Sequence, residues 1–188
     1  MTPFEYVSVL ISIILGLGIS QLVTGVTDLI HRWERVKFYW PHMLWIGFIF
    51  FLHIQDWWIL YDLKNLSTWK LHTFLFTVLY PINLFILARL LFPFGSEGED
   101  TDLKTFYFKN FRRIFVWAII SVGLSIIDNV LLNNLSLLEQ PLQLSLLGFL
   151  SFITIKNYQH EWIHKMIVIL LSGLLIISMV SRDWTIRS

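Results

Sequence analysis

The chain has 188 residues, 56% of them apolar and only 14% charged, with a mean hydropathy of +0.66. About 105 apolar residues suffice for five or six membrane spans of roughly 20 residues each, which excludes a disordered chain and an ordinary soluble enzyme. A net charge of +1 leaves no global basic surface for nucleic acid, and the absence of cysteine removes disulfides, thiolate metal sites and cysteine nucleophiles.

The opening Met1-Thr2-Pro3-Phe4-Glu5 is acidic, and the apolar run 6–30 ends without a small-residue cleavage site. It reads as a first transmembrane helix, not a cleavable signal. Within it Ser12, Gly16, Ser20, Thr24 and Asp28 recur at every fourth position, with Gly18, Gln21 and Gly25 alongside. Small residues at that spacing let two helix backbones approach closely, so this stripe is expected to be a packing face, toward another span or a second subunit.

The second run, 41–62, carries His53, Gln55 and Asp56; the third, 69–94, carries Pro81, Asn83 and Arg89. Proline has no N–H, so the Thr77 carbonyl loses its helical donor and a kink is expected there. An acidic loop with Glu97, Glu99, Asp100 and Asp102 follows. In the next segment, 103–114, Leu103, Phe106, Tyr107, Phe111 and Ile114 share one helical face and Lys104, Lys109, Arg112 and Arg113 surround the other. Two readings compete: an in-plane helix gripping anionic lipid, or the basic collar of the fourth span.

The fourth run, 113–137, holds Asp128, Asn129 and Asn133. The fifth, 141–157, has only 16 residues between Pro141 and Lys156, just short of a usual span; it crosses or re-enters. The sixth is 163–181. Trp33, Tyr39, Trp40, Trp57, Trp58, Tyr61, Trp69, Tyr158 and Trp162 cluster near span ends, as interface anchors do.

With six spans, ten Lys and Arg residues fall on one side (32, 35, 37, 89, 104, 109, 112, 113, 156, 165) and four on the other (64, 70, 182, 187). The positive-inside rule then places the N-terminus outside. A re-entrant fifth segment gives the same ratio, so charge leaves the side of the C-terminus open. The segment 16–23 also matches 123–130 at four positions in eight, a faint sign of a three-plus-three inverted repeat of the kind built into many transporters.

Inside the membrane the costly groups are Asp56 and Asp128, each about 15 residues into a span running outward and so at similar depth. A charge near mid-bilayer costs about 2.5–3.5 kcal/mol, so such groups face a bundle interior or a wet cavity and have partners. His53, Asn129, Asn83 and Arg89 are the candidate partners. The set reads as an ion or proton path, or as a polar network holding helices together. One motif matches a catalytic pattern: His160-Glu161-Trp162-Ile163-His164 is H-E-x-x-H, in which two histidines on one helical face bind zinc and Glu161 acts as general base. A third ligand is missing, and Glu139 reaches the same membrane face only if the fifth run is re-entrant.

The segments FEYVSVLISIILGLGISQLVTG, FYWPHMLW, HIQDWWILYDL and, more loosely, YFKNFRRIF resemble a group of small multi-pass bacterial membrane proteins without assigned function. That resemblance implies a bacterial source and the cytoplasmic membrane; it brings no activity or site residue. The expectation is an all-α bundle of six transmembrane helices, a single domain with no cofactor. Its leading function is an oligomeric channel or transporter for protons or small cations, working through intramembrane carboxylates. A non-catalytic subunit, scaffold or sensor of a larger complex is the second reading, and a membrane-embedded zinc protease the third.

Overall fold

A computed structural model describes residues 2–65, 69–93, 100–131 and 134–181. These form six helices, five of them long and apolar enough to cross a membrane. Helix α1 (Pro3–His31) starts in a capping box: the Glu5 N–H donates to the Thr2 hydroxyl (3.2 Å) and the Thr2 N–H to the Glu5 carboxylate (2.8 Å). After a 3₁₀ turn (Trp33–Arg35) and the two-residue strand β1 (Val36–Lys37) comes α2 (Trp40–Leu60), then a second 3₁₀ turn (Tyr61–Asn65). Helix α3 (Leu71–Leu90) continues through Pro81. Strand β2 (Thr101–Asp102) leads into α4 (Leu103–Leu131), where the Asp102 carboxylate accepts the N–H groups of Lys104 (2.9 Å) and Thr105 (3.0 Å), two of the donors a helix start leaves unpaired.

Helix α4 runs unbroken for 29 residues, which corrects two expectations. The segment 103–114 is not an in-plane membrane helix: Leu103, Tyr107, Phe111 and Ile114 are buried inside the bundle, so its apolar face already has a protein partner. The helix also falls short of the expected 137: it is described to Leu131, residues 134–136 are not helical, and a 3₁₀ turn (Leu137–Glu139) precedes α5 (Pro141–Lys156). Asn157 closes α5 with φ 50°, a left-handed conformation that asparagine tolerates, and α6 (Glu161–Ser181) follows.

Three contacts define one end of the molecule. Strand β1 pairs in parallel with β2, Val36 opposite Thr101, tying the α1–α2 connection to the start of α4. The His42 ring at the start of α2 donates through Nε2 to the carbonyl of Leu91, just past α3 (2.7 Å). Lys104 pairs with Glu161 (2.5 Å), placing the start of α6 beside the start of α4. The opposite end is defined by the Phe4–Tyr61 ring contact and by Asn129 of α4 donating to Gln140 (3.1 Å) and Gln143 (3.3 Å) at the start of α5. Helix α5 thus begins where α4 ends and returns the chain to where α4 began.

The core lies toward the first end, where Trp45, Tyr107, Phe111, Phe115, Leu84 and Leu87 are completely enclosed. Helix α1 packs chiefly on α3 and α2 and buries Val7, Ile11, Leu15, Gly18, Leu22, Gly25 and Leu29, in steps of four or three. Two of these must be glycine. A Cβ on Gly18 would lie 2.1 Å from Nε2 of His53, and one on Gly25 would lie 2.5 Å from the Phe92 ring. Of the expected packing stripe, Gly16, Ser20, Thr24 and Asp28 are exposed, and half-buried Ser12 lies beside Trp57, Trp58 and Tyr61 at the end of α2. Gly16 has open space where a Cβ would stand.

Candidate functional site: an acid-lined cavity

At the end opposite β1 and β2, a cavity of about 760 Å³ opens between α2, α3, α4 and α5. Each of these helices supplies one polar stretch. From α2 come Gln55 and Asp56, and Asp62 from the turn beyond; from α3, Thr77 and Tyr80; from α4, Ser125, Asp128 and Asn129; from the α5 entry, Glu139, Gln140 and Gln143. Apolar walls fill the spaces between them, notably Leu52, Trp58, Phe76 and Leu124. Among the described residues, four carboxylates line the cavity and no lysine, arginine or histidine does.

Asp56, Asp128 and Tyr80 are near enough for each carboxylate to act electrostatically on the phenol, and for Asp128 to act on Asp56. Among the described residues neither aspartate makes a hydrogen bond or an ion pair, and both are half-buried in the wall. By contrast the neighbouring amides are committed: besides accepting from Asn129, Gln143 donates to Ser125 (3.0 Å) and Gln140 to the Ser136 carbonyl (3.4 Å). These bonds hold the α4–α5 corner that forms one wall. Glu139 sits at the rim, where the Ser136 N–H donates to its carboxylate (2.7 Å) and holds it below the usual carboxylate range, so it is charged at neutral pH.

Of the residues expected at an intramembrane polar site, Asp56, Asp128 and Asn129 line this cavity; Tyr80 and the glutamine pair line it too and were not expected. Tyr80-Pro81 and Gln140-Pro141-x-Gln143 were the available signals, polar residues flanking a proline within or at the start of an apolar run. Three expected partners are not there. His53 is fully buried against Gly18 of α1; its Nδ1 donates to the Ile49 carbonyl (2.8 Å), and Nε2 has no partner. Asn83 is buried between α3 and α4, donating to the Trp117 carbonyl (3.2 Å) and to the Ser121 hydroxyl. Arg89 is exposed in the last turn of α3, nine residues past Tyr80 and so roughly 13 Å farther along the helix. Asn133, expected beside Asp128, lies outside the described residues.

The H-E-x-x-H segment stands at the other end. His164 is enclosed by the rings of Tyr107, Phe108, Phe111 and Phe115. Its Nε2 is 2.8 Å from the Tyr158 carbonyl, which can only accept, so Nε2 carries the proton; Nδ1, 2.9 Å from the Tyr107 hydroxyl, then accepts from it. Both nitrogens are occupied. His160 is exposed beside Tyr158, and Glu161 is engaged by Lys104 and by Lys165 (2.8 Å). Glu139, the only third ligand offered for zinc, lies at the opposite end of the molecule. Among the described residues no three His, Asp or Glu side chains assemble as a metal-ligand set.

Compared with protein families, with characterised proteins and with solved structures, the chain matches none.

Proposed function

We propose that this protein is a membrane transporter for small cations, with Asp56 and Asp128 as the groups that bind the cation. The observation that carries this reading is the charge of the cavity wall: among the described residues, four carboxylates and no cationic side chain. Placing acids in apolar surroundings costs several kcal/mol unless water or a counter-ion compensates them, and among the described residues no protein cation does. A cation entering the cavity supplies that compensation.

In this reading all six helices cross the membrane and the β1–β2 end is cytoplasmic, since ten basic residues gather there, among them Arg89, Lys104, Lys109, Arg112 and Arg113. Exposed Lys109, Arg112 and Arg113 meet anionic headgroups, while Lys104 is engaged by Glu161. The cavity then faces outward. The enclosed aromatic core between it and the cytoplasmic end favours a carrier that alternates between two states over a standing pore through one chain. Copies of the chain would meet on the exposed Gly16–Ser20–Thr24 row of α1.

The test is counterflow in proteoliposomes under an imposed cation gradient. Wild-type protein should move Na⁺, K⁺, H⁺ or a simple ammonium ion, and Asp56→Asn and Asp128→Asn should each reduce the rate by about tenfold or more. Absence of flux for every one of these cations at any imposed potential removes the reading.

A further inference from the structure

The dimensions and walls of the cavity say more about its occupant than its charge alone, if the reading of that site as cation-binding holds. We infer that it takes an organic primary ammonium ion with an apolar body, not a bare inorganic ion. A cavity of about 760 Å³ lies in the range of pockets for whole small molecules, about 300–1,000 Å³, and far exceeds what a dehydrated metal ion fills. A divalent ion takes six or more oxygens at about 2.0–2.6 Å. Asp56 and Asp128 come together without a third acid, and among the described residues no three-ligand metal set exists anywhere.

The walls are those of an amphipathic guest. Trp58, Phe76 and Tyr80 offer aromatic faces, which attract ammonium groups and also pack against hydrocarbon; Leu52, Leu63 and Leu124 extend the apolar surface. The polar side is rich in acceptors. Helix α3, which packs on both α2 and α4, adds a main-chain group: Pro81 deprives the Thr77 carbonyl of its helical donor, and Thr77 and Pro81 both line the cavity. A carbonyl freed inside a transmembrane helix is a recurrent cation acceptor in transporters. Acceptors from α2, α3 and α4 around one cavity, with the amides of the α4–α5 corner tied to one another, suit the three N–H donors of –NH₃⁺.

Equilibrium dialysis of the full chain in detergent with radiolabelled benzylammonium tests the assignment. Saturable binding is expected, undiminished by Na⁺, K⁺ or Mg²⁺ in large excess, and weakened about tenfold or more by Asp56→Asn and by Asp128→Asn. Gly47→Ala, outside the cavity and facing open space, should bind as wild type, and a melting curve for each variant separates lost binding from lost folding. The wild-type competitions stand without any variant. Displacement of benzylammonium by Na⁺, K⁺ or Mg²⁺ at matched concentration overturns the organic assignment and leaves the cation reading intact. Equal binding of neutral benzyl alcohol overturns both, because charge would then play no part. No benzylammonium binding alongside measurable inorganic flux in the liposomes overturns the inference alone.

Discussion

A methyl group at Gly18 has nowhere to go. Its Cβ would fall 2.1 Å from Nε2 and 2.6 Å from Cδ2 of His53, a ring that is itself fully enclosed and anchored to the Ile49 carbonyl. Gly18→Ala should therefore destabilise the protein by about 1–3 kcal/mol, as overpacking does, while Gly16→Ala, facing open space, should stay within about 0.5 kcal/mol. Thermal unfolding in a single detergent reads both; equal effects would contradict the assignment of the inner face of α1. The same pair of residues shows where sequence reasoning at this scale stops. Both glycines sit in an apolar helix among small neighbours, and the every-fourth-residue stripe points to Gly16. Only the presence of His53 opposite makes Gly18 the one that matters. His53 and Asp56 carry a similar lesson. Three residues turn a helix by about 300°, so their directions differ by about 60°. That is near enough to share a face on paper, and enough here to send one side chain into α1 and the other into the cavity. His164 extends it to chemistry. With Nε2 donating to Tyr158 and Nδ1 accepting from Tyr107, it has no lone pair to give a metal. Metal analysis of protein purified without a histidine tag should find well under one zinc per chain, unchanged by His160→Ala. Stoichiometric zinc lost in that variant would refute this account.

At the scale of elements, the docking of α6 onto α4 rests on burial and not on its visible ion pair. Lys104 and Glu161 approach to 2.5 Å, but their side chains are 51% and 34% exposed. Water screens such a pair, and a double-mutant cycle between Lys104→Ala and Glu161→Ala should give a coupling below about 1 kcal/mol. One turn inward, Tyr107→Phe removes a hydroxyl from Nδ1 of an enclosed His164 and leaves a buried acceptor unpaired, which costs about 1–3 kcal/mol. Unfolding measurements on these variants should rank Tyr107→Phe above either charge deletion. The reverse order would mean that the surface pair holds α6. Hydropathy located the six helices well, because a run of apolar residues in lipid has no other means of satisfying its backbone. It placed the boundaries of α4 poorly for an equally physical reason. The first three turns of α4 carry Lys104, Lys109, Arg112 and Arg113 outside and Tyr107 and Phe111 inside, so their mean hydropathy is low although the helix is continuous. Which helices would enclose a cavity was not legible at all, since pairing of helices depends on shape and α5 was doubtful even as a span.

The whole molecule is polarised along its length, with a closed aromatic core at the basic end and a polar, acid-walled cavity at the other. That polarity has functional meaning only if the helices cross the bilayer in alternation, and α5 is the test case. At 16 residues it rises about 24 Å, less than the roughly 30 Å hydrocarbon core, yet its two ends are fixed at opposite ends of the bundle. Asn129 holds its start beside the end of α4, and the Lys104–Glu161 and Tyr107–His164 contacts hold the start of α6, only five residues beyond Lys156, beside the start of α4. A re-entrant α5 would have to break one of these sets. The sequence contains no cysteine, so single cysteines introduced on either side of α5 report without background. Leu138, 91% exposed ahead of α5, and Gln159, exposed in the turn before α6, are the sites to use. In intact spheroplasts a membrane-impermeant maleimide should label Leu138→Cys at once and Gln159→Cys only after permeabilisation. Labelling of both from outside would make α5 re-entrant and put the H-E-x-x-H segment on the same side as Asp128, overturning the six-crossing arrangement on which an outward-facing cation cavity depends.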